Sequence, residues 1–147
     1  MTTSETALLD TNILVYAADE MSPFHSSSRH LRDRGLKGEE SLCILPQIMS
    51  EFYAIVTDSK RVSNPRSQEE AVTEIEKYLD ATHVLKFFPG PDVIDIMMEL
   101  LKRYAIRKQE VFDAQLVASM LSNNVTRIYT FNRDHFTKFA EIQVLRP

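Results

Sequence analysis

The sequence predicts an α/β fold, a mostly parallel sheet covered by helices on both faces, on three observations. Short apolar runs alternate with amphipathic segments of helical length from end to end, giving about five strands interleaved with helices of roughly ten residues or more, the pattern of βαβ units. Glycine is scarce, at 3 residues, which argues against a turn-rich all-β sandwich and a glycine-rich phosphate loop. No internal repeat, low-complexity tract or linker breaks the alternation, so residues 1–147 are expected to form one domain.

The elements follow in order. "ALLD" at 7–10 reads as a short buried strand ending in an acid, followed by a brief helical turn from Asn12 to about Tyr16. In "SPFHSSSRHLRDRG", Ser22 suits a cap, Pro23 the first helical position and Gly35 the close of the helix. "SLCIL" at 41–45 is a second strand. Pro46 opens "PQIMSEFYAIVTDSKRV", in which Ile48, Met49, Phe52, Ile55 and Val56 recur at helical spacing. After the turn "SNPR", Ser67 with Glu70 three residues on forms a capping box ahead of a stripe of Ala71, Ile75, Tyr78 and Leu79. "HVLKFF" at 83–88 is the third strand. The stretch 92–104 is a helix with Val93, Ile96, Met97, Leu100 and Leu101 on one side. "DAQLVASMLSNN" is the next helix, "RIYTF" a strand, "NRDHF" a turn and "IQVL" the last strand.

Composition narrows the function classes. Hydrophobic residues make up 44% and charged residues 26%, ordinary values for a soluble domain. No stretch approaches the roughly 18 apolar residues of a membrane span, and "MTTSETALLD" lacks a basic leader, so a cytoplasmic protein with no membrane partner is expected. The lone Cys43 sits in an apolar run and reads as a small buried residue. The formal charge of −4 gives no global attraction to a polyanion. Any nucleic acid must be met by local basic patches or by a bound cation.

In a parallel sheet, ligands bind beyond the carboxyl ends of the strands, and acids stand at those places. Asp10 ends the first strand, interrupting "LLDTNILVYA". Asp113 begins the helix "DAQLVASM", Glu51 lies about five residues into the helix opened by Pro46, and Asn132 and Asp134 follow the fourth strand. Each has a plain structural reading: Asp10 as a cap for Ile13, Asp113 as a complement to a helix N-terminus, worth about 0.3 to 1 kcal/mol, and Glu51 as a solvated edge residue. Gathered at one edge, however, three or four carboxylates repel and raise one another's pKa unless a cation resides among them. Hard oxygen donors suit Mg²⁺ or Mn²⁺, and the chemistry this implies is metal-assisted attack of water on a phosphodiester.

"LLDTNILVYA", "LPQIMSEFYAIVT", "VFDAQLVASMLSNNVTRIYTFN" and "NRDHF" come in the order and at about the spacing of the PIN domain. The chain resembles in particular the VapC-like ribonuclease toxins of toxin-antitoxin pairs, over nearly its whole length. The resemblance implies a three-layer α/β/α sandwich on a five-stranded parallel sheet and a Mg²⁺- or Mn²⁺-dependent endoribonuclease. Asp10, Glu51 and Asp113 would be its metal and water-activating residues, with Thr11 and Asn12 supporting them and Thr130 lining the pocket. The family often carries an Asp two residues after that Thr. Here the position is Asn132, so either Asp134 substitutes as a fourth catalytic acid or Asn132 holds a water, and one metal is expected rather than two.

Partners follow from the same resemblance: RNA, a cognate antitoxin protein and a second copy in a homodimer. Lys60, Arg61, Arg66, Lys102, Arg103, Arg107 and Lys108 form local basic patches, with Arg133 and Lys138 the better candidates for RNA contact. His135 reads as a surface turn residue. Phe24, Phe52, Tyr53 and Ile55 exceed what one sheet face needs and divide between core and a groove for a partner helix. Two other readings stand beside this one: a nuclease of the same fold that processes structured RNA or DNA, and a catalytically silent binding module, which the Asn at 132 keeps open.

Overall fold

The computed structural model describes residues 5–147. Strands β1 (Ala7–Leu9), β2 (Leu42–Ile44), β3 (Leu85–Lys86), β4 (Arg127–Tyr129) and β5 (Gln143–Leu145) alternate with helices. These are α1 (Thr11–Ala18), α2 (His25–Leu36), α3 (Pro46–Val56), α4 (Gln68–Asp80), α5 (Val93–Arg103), α6 (Glu110–Ser122) and α7 (Arg133–Phe136). The sheet order is β3-β2-β1-β4-β5, and every pairing is parallel. Connections from β1 step to β2 and β3 on one side and then return across the sheet to β4 and β5. With right-handed crossovers that reversal puts α1–α4 on one face and α5–α7 on the other, and α1 packs on α2 and α3, and α5 on α6, accordingly.

The predicted fold class is therefore observed. Strands β1 and β2 are buried throughout because both faces are covered, as continuous apolar runs in a parallel sheet require, and β4 buries Ile128 at its centre while Arg127 and Tyr129 are half-buried. Cys43 is buried and its thiol is pushed up to about 12 by desolvation, which keeps it unreactive. The Ser67–Glu70 capping box forms in both directions.

Several boundaries differ for identifiable reasons. The turn expected at 12–16 is an eight-residue helix, because Asp10 caps it directly. The run 83–88 pairs only at Leu85 and Lys86, being an edge strand soon ended by Pro89. Helix α6 starts at Glu110 rather than Asp113, since Glu110 turns its carboxylate back onto the Arg107 N–H at 3.1 Å. Gly35 does not close α2. It lies inside the helix and against β2, where a Cβ would stand 2.4 Å from Leu42 Cδ1; the left-handed glycine is Gly38, at φ 77°. Phe52 is wholly core, whereas Tyr53 and Ile55 are half-buried. Phe24 packs on Tyr16 and Phe131.

Candidate active site

The carboxyl ends of β1 and β4 are neighbours where the chain reverses direction across the sheet, the place where open α/β sheets leave a crevice. Asp10 emerges there from β1. Its backbone N–H still bonds the Tyr129 carbonyl of β4 at 3.0 Å, and its side chain already caps α1, accepting from the Thr11 N–H at 2.8 Å. Asp10 thus caps α1, with its side chain on the Thr11 N–H rather than on Ile13, and stands at the same time on the edge of the crevice. Behind it, fully buried Thr130 donates its hydroxyl to Asp10 Oδ2 at 2.7 Å. The same hydroxyl oxygen accepts from the Asn132 N–H at 2.9 Å and from Asn12 Nδ2 at 3.3 Å. A carboxylate only 7% exposed is in this way held on both oxygens. Burial raises its pKa above the ordinary aspartate range; the Thr130 and Thr11 hydrogen bonds oppose that rise, and the charges of Glu51 and Asp113 add to it.

Glu51 reaches the same place from α3. Thr11 Oγ1 donates to its Oε2 at 2.7 Å and Gln47 Nε2 to its Oε1 at 3.0 Å. Gln47 stands one turn earlier on the same helix face and also reaches the Phe112 carbonyl of α6 at 3.3 Å. Asp113 comes from the first turn of α6, with its Oδ2 3.3 Å from His135 Nδ1 of α7. Its pKa too is raised, chiefly by burial and slightly by Glu51, against the opposing effect of His135 and Lys138.

Asp10, Glu51 and Asp113 line one open cleft of about 650 Å³, together with Thr11, Asn12, Asn132 and His135. Arg61 and His135 are the only basic side chains on that lining among the described residues. Thr130 does not line the cleft but supports Asp10 from behind. Asp134 does not reach it either: the "NRDHF" turn is a single helical turn, which presents His135 and Phe136 to the cleft and leaves Asp134 exposed. Arg133 is exposed and off the lining, and Lys138 is drawn aside to Glu110 at 3.6 Å. Of the residues the sequence reading passed over, Gln47 had a signal, its i, i+4 spacing from Glu51 on one helix. The Asp113–His135 pairing had none, since it depends on how α7 sits against α6.

The donor set is made of hard carboxylate oxygens. Among the described residues no three such groups stand close enough to cage an ion by themselves. Mg²⁺ and similar ions dehydrate reluctantly and are commonly held by one or two carboxylates with water completing the shell, so this cleft fits a partly hydrated cation rather than a dry cage.

Fold and site together define a domain with acids at the switch point of a parallel sheet. Residues 7–142 match the PIN domain, and the chain belongs to that family. It is similar to ribonuclease VapC48 of Mycobacterium tuberculosis, 29% identical over 138 residues that cover 94% of each chain. Among solved structures it resembles VapBC2 from Rickettsia felis bound to a promoter DNA fragment, with a TM-score of 0.66 at 17% identity, covering 97% of this chain and 98% of that one. It also resembles Mycobacterium tuberculosis VapC20, a toxin that cleaves the sarcin-ricin loop, with a TM-score of 0.66 at 17% identity over 93% and 98% of the two chains.

Proposed function

We propose that this chain is a divalent-metal-dependent endoribonuclease, the toxin half of a toxin-antitoxin pair, which hydrolyses RNA phosphodiesters in the cleft between α1, α3 and α6. The observation that carries this is the convergence of Asp10, Glu51 and Asp113 from three separate elements onto one cleft. The ribonuclease names of its relatives support the reaction, and the VapBC neighbour supports an antitoxin as partner. A homodimer and a cytoplasmic location belong to the same reading; no helix among the described residues is long and apolar enough to cross a membrane.

A partly hydrated Mg²⁺ or Mn²⁺ held among Asp10, Asp113 and Glu51, with water completing its shell, would supply positive charge at the scissile phosphate and lower the pKa of the attacking water. The protein's own part is positional. Thr11 and Thr130 fix both Asp10 oxygens, and Thr11 Oγ1 ties Glu51 to the same corner. Asn12 braces this corner against Phe131 and Thr130. Glu51, held through Thr11 and Gln47, is on this reading the carboxylate that takes up the proton the water loses. Arg61 lends positive charge to the rim of a chain that is otherwise net acidic, His135 stands on that rim beside Asp113, and Asn132 offers a neutral amide where a fourth acid would repel the phosphate.

The test is cleavage of labelled single-stranded RNA by the purified protein with Mg²⁺ or Mn²⁺, after chelation, and by Asp10→Ala. Cleavage that requires the metal and vanishes in the variant is expected. RNA binding without cleavage at any metal concentration would overturn the enzyme and leave a binding module.

A further inference from the structure

Beside the catalytic cleft, on the far side of Gln47, lies a second recess of about 370 Å³. Three residues line both: Gln47, Glu51 and Phe112. The recess is thus continuous with the site rather than a separate feature of the surface. Its volume is at the small end of the range of about 300 to 1,000 Å³ for ligand pockets.

Its chemistry differs from that of the cleft. Apart from Glu51 at the junction, no charged side chain lines it; Ser50 and Gln115 supply neutral polar groups, and Pro89 and Phe112 supply apolar walls. A phosphate has no counter-charge there. Phe112 is 55% exposed, although the residues that follow it on α6 are largely core. An exposed aromatic ring next to an acid that faces a phosphate site is a stacking platform for an unstacked base, since sequence recognition in RNA works on splayed single-stranded bases stacked on aromatic side chains.

Gln47 gives the second observation. Its amide nitrogen is used, towards Glu51 Oε1 and the Phe112 carbonyl, but its Oε1 is buried and has no hydrogen-bond partner. Turning the carboxamide round would press that oxygen against a carboxylate and a carbonyl, so the orientation is fixed by its neighbours. Gln47 lines the recess, and a base amino or imino group seated there is a donor of the kind its oxygen lacks.

We infer that this recess seats one nucleobase next to the scissile phosphate, stacked on Phe112 and read at its edge by Gln47, Ser50 and Gln115. Phe112 is on this account a specificity-determining residue. The inference rests on the ribonuclease reading above and names the part of the RNA that the recess recognises.

The experiment uses the full chain and fluorescein-labelled single-stranded RNA of about 12 nucleotides, long enough to fill a single-strand site. One abasic ribose is walked along the strand, and binding in Ca²⁺ is read by anisotropy. The ends produced in Mg²⁺ or Mn²⁺ from a randomised RNA are sequenced in parallel. For the wild type, one abasic position weakens binding roughly tenfold, the scale of a lost base–aromatic stack, and the cleaved ends show a base preference at one position. Phe112→Ala weakens binding of the intact strand by a similar factor, flattens the walk and erases the preference. Phe112→Tyr keeps all three, and because the ring is exposed both variants are expected to melt like the wild type.

A flat walk in the wild type, or a Phe112→Ala variant that keeps the wild-type dip and preference, overturns the inference while the ribonuclease reading stands. A wild type that neither binds nor cleaves RNA removes both.

Discussion

Replacing Thr130 by Val keeps shape and volume and deletes one hydroxyl, so it isolates what that group does for the site. The hydroxyl donates to Asp10 Oδ2 at 2.7 Å and accepts from the Asn132 N–H at 2.9 Å. A hydrogen bond to a charged partner contributes about 1.5 to 3 kcal/mol, and a stranded N–H adds to the loss where it is shielded from water. The extra methyl of Val offsets part of this, leaving a destabilisation of about 2 to 3 kcal/mol. For a chain of this size that is a fall in Tm of roughly 5 to 10 °C. The control is Thr130→Ser, which keeps the hydroxyl and loses one buried methyl, about 1 kcal/mol. The sign with pH follows from the carboxylate. Thr130 holds the charged form of Asp10 and so lowers a pKa that burial raises; without it the folded pKa climbs further. The gap between wild type and Thr130→Val is therefore widest above Asp10's folded pKa and narrows as pH falls through it. Urea denaturation of the three proteins in chelator, from about pH 4 to about pH 8, reads this directly. A Val variant as stable as the Ser variant, or a gap that ignores pH, would refute the reasoning.

Asp113 also has a folded pKa raised chiefly by burial. Its unfolded state therefore loses the proton first, and its ionisation subtracts stability from the metal-free protein as pH rises through the interval between the two values. Asp113→Asn is expected to be more stable than wild type at neutral pH without metal, with the difference fading in acid; chemical denaturation across pH that shows the opposite trend would contradict it. Asp134→Asn should leave RNA cleavage within about twofold of wild type, since surface changes away from a site have small effects, and a large loss of rate would place Asp134 in the reaction after all. Asn132→Asp adds an acid to the cleft lining and should tighten Mn²⁺ binding in calorimetry; unchanged affinity would mean that this side chain faces away from the ion. Gly35→Ala should cost about 1 to 3 kcal/mol, the scale of overpacking, because its Cβ meets Leu42 Cδ1; an unchanged thermal midpoint would show that β2 gives way freely.

Much of the fold is legible in the chain because both faces of the sheet are covered. Runs such as "ALL" and "LCI" are continuous, as strands covered on both faces are, and their shortness and the amphipathic stretches that follow them mark them as strands rather than helices. What escapes is decided by neighbours. Gly35 looks like a helix stop, but it is there because Leu42 of β2 packs against it. The start of α6 is hidden in the polar run "RKQE", where Glu110 serves its own turn. The site divides in the same way. Asp10, Glu51 and Asp113 are visible because each is an acid set in an otherwise apolar stretch, and such placement is unfavourable unless the group is held. Asp134 stands out equally in the sequence, yet one turn of helix at 133–136 carries it to solvent and brings His135 to Asp113 instead. Gln47 and Phe112 carry no charge; the i, i+4 spacing ties Gln47 to Glu51, but only the approach of α3 to α6 brings Phe112 beside it.

The central claim is that the cleft acids hold a divalent cation that serves RNA hydrolysis, and it is tested most directly by titrating Mn²⁺ into wild type and Asp113→Asn by calorimetry while assaying RNA cleavage on the same samples. Saturable binding and cleavage in the wild type, both lost in the variant, are expected. A wild type that binds no metal, or a variant that binds and cleaves as well as the wild type, would contradict it.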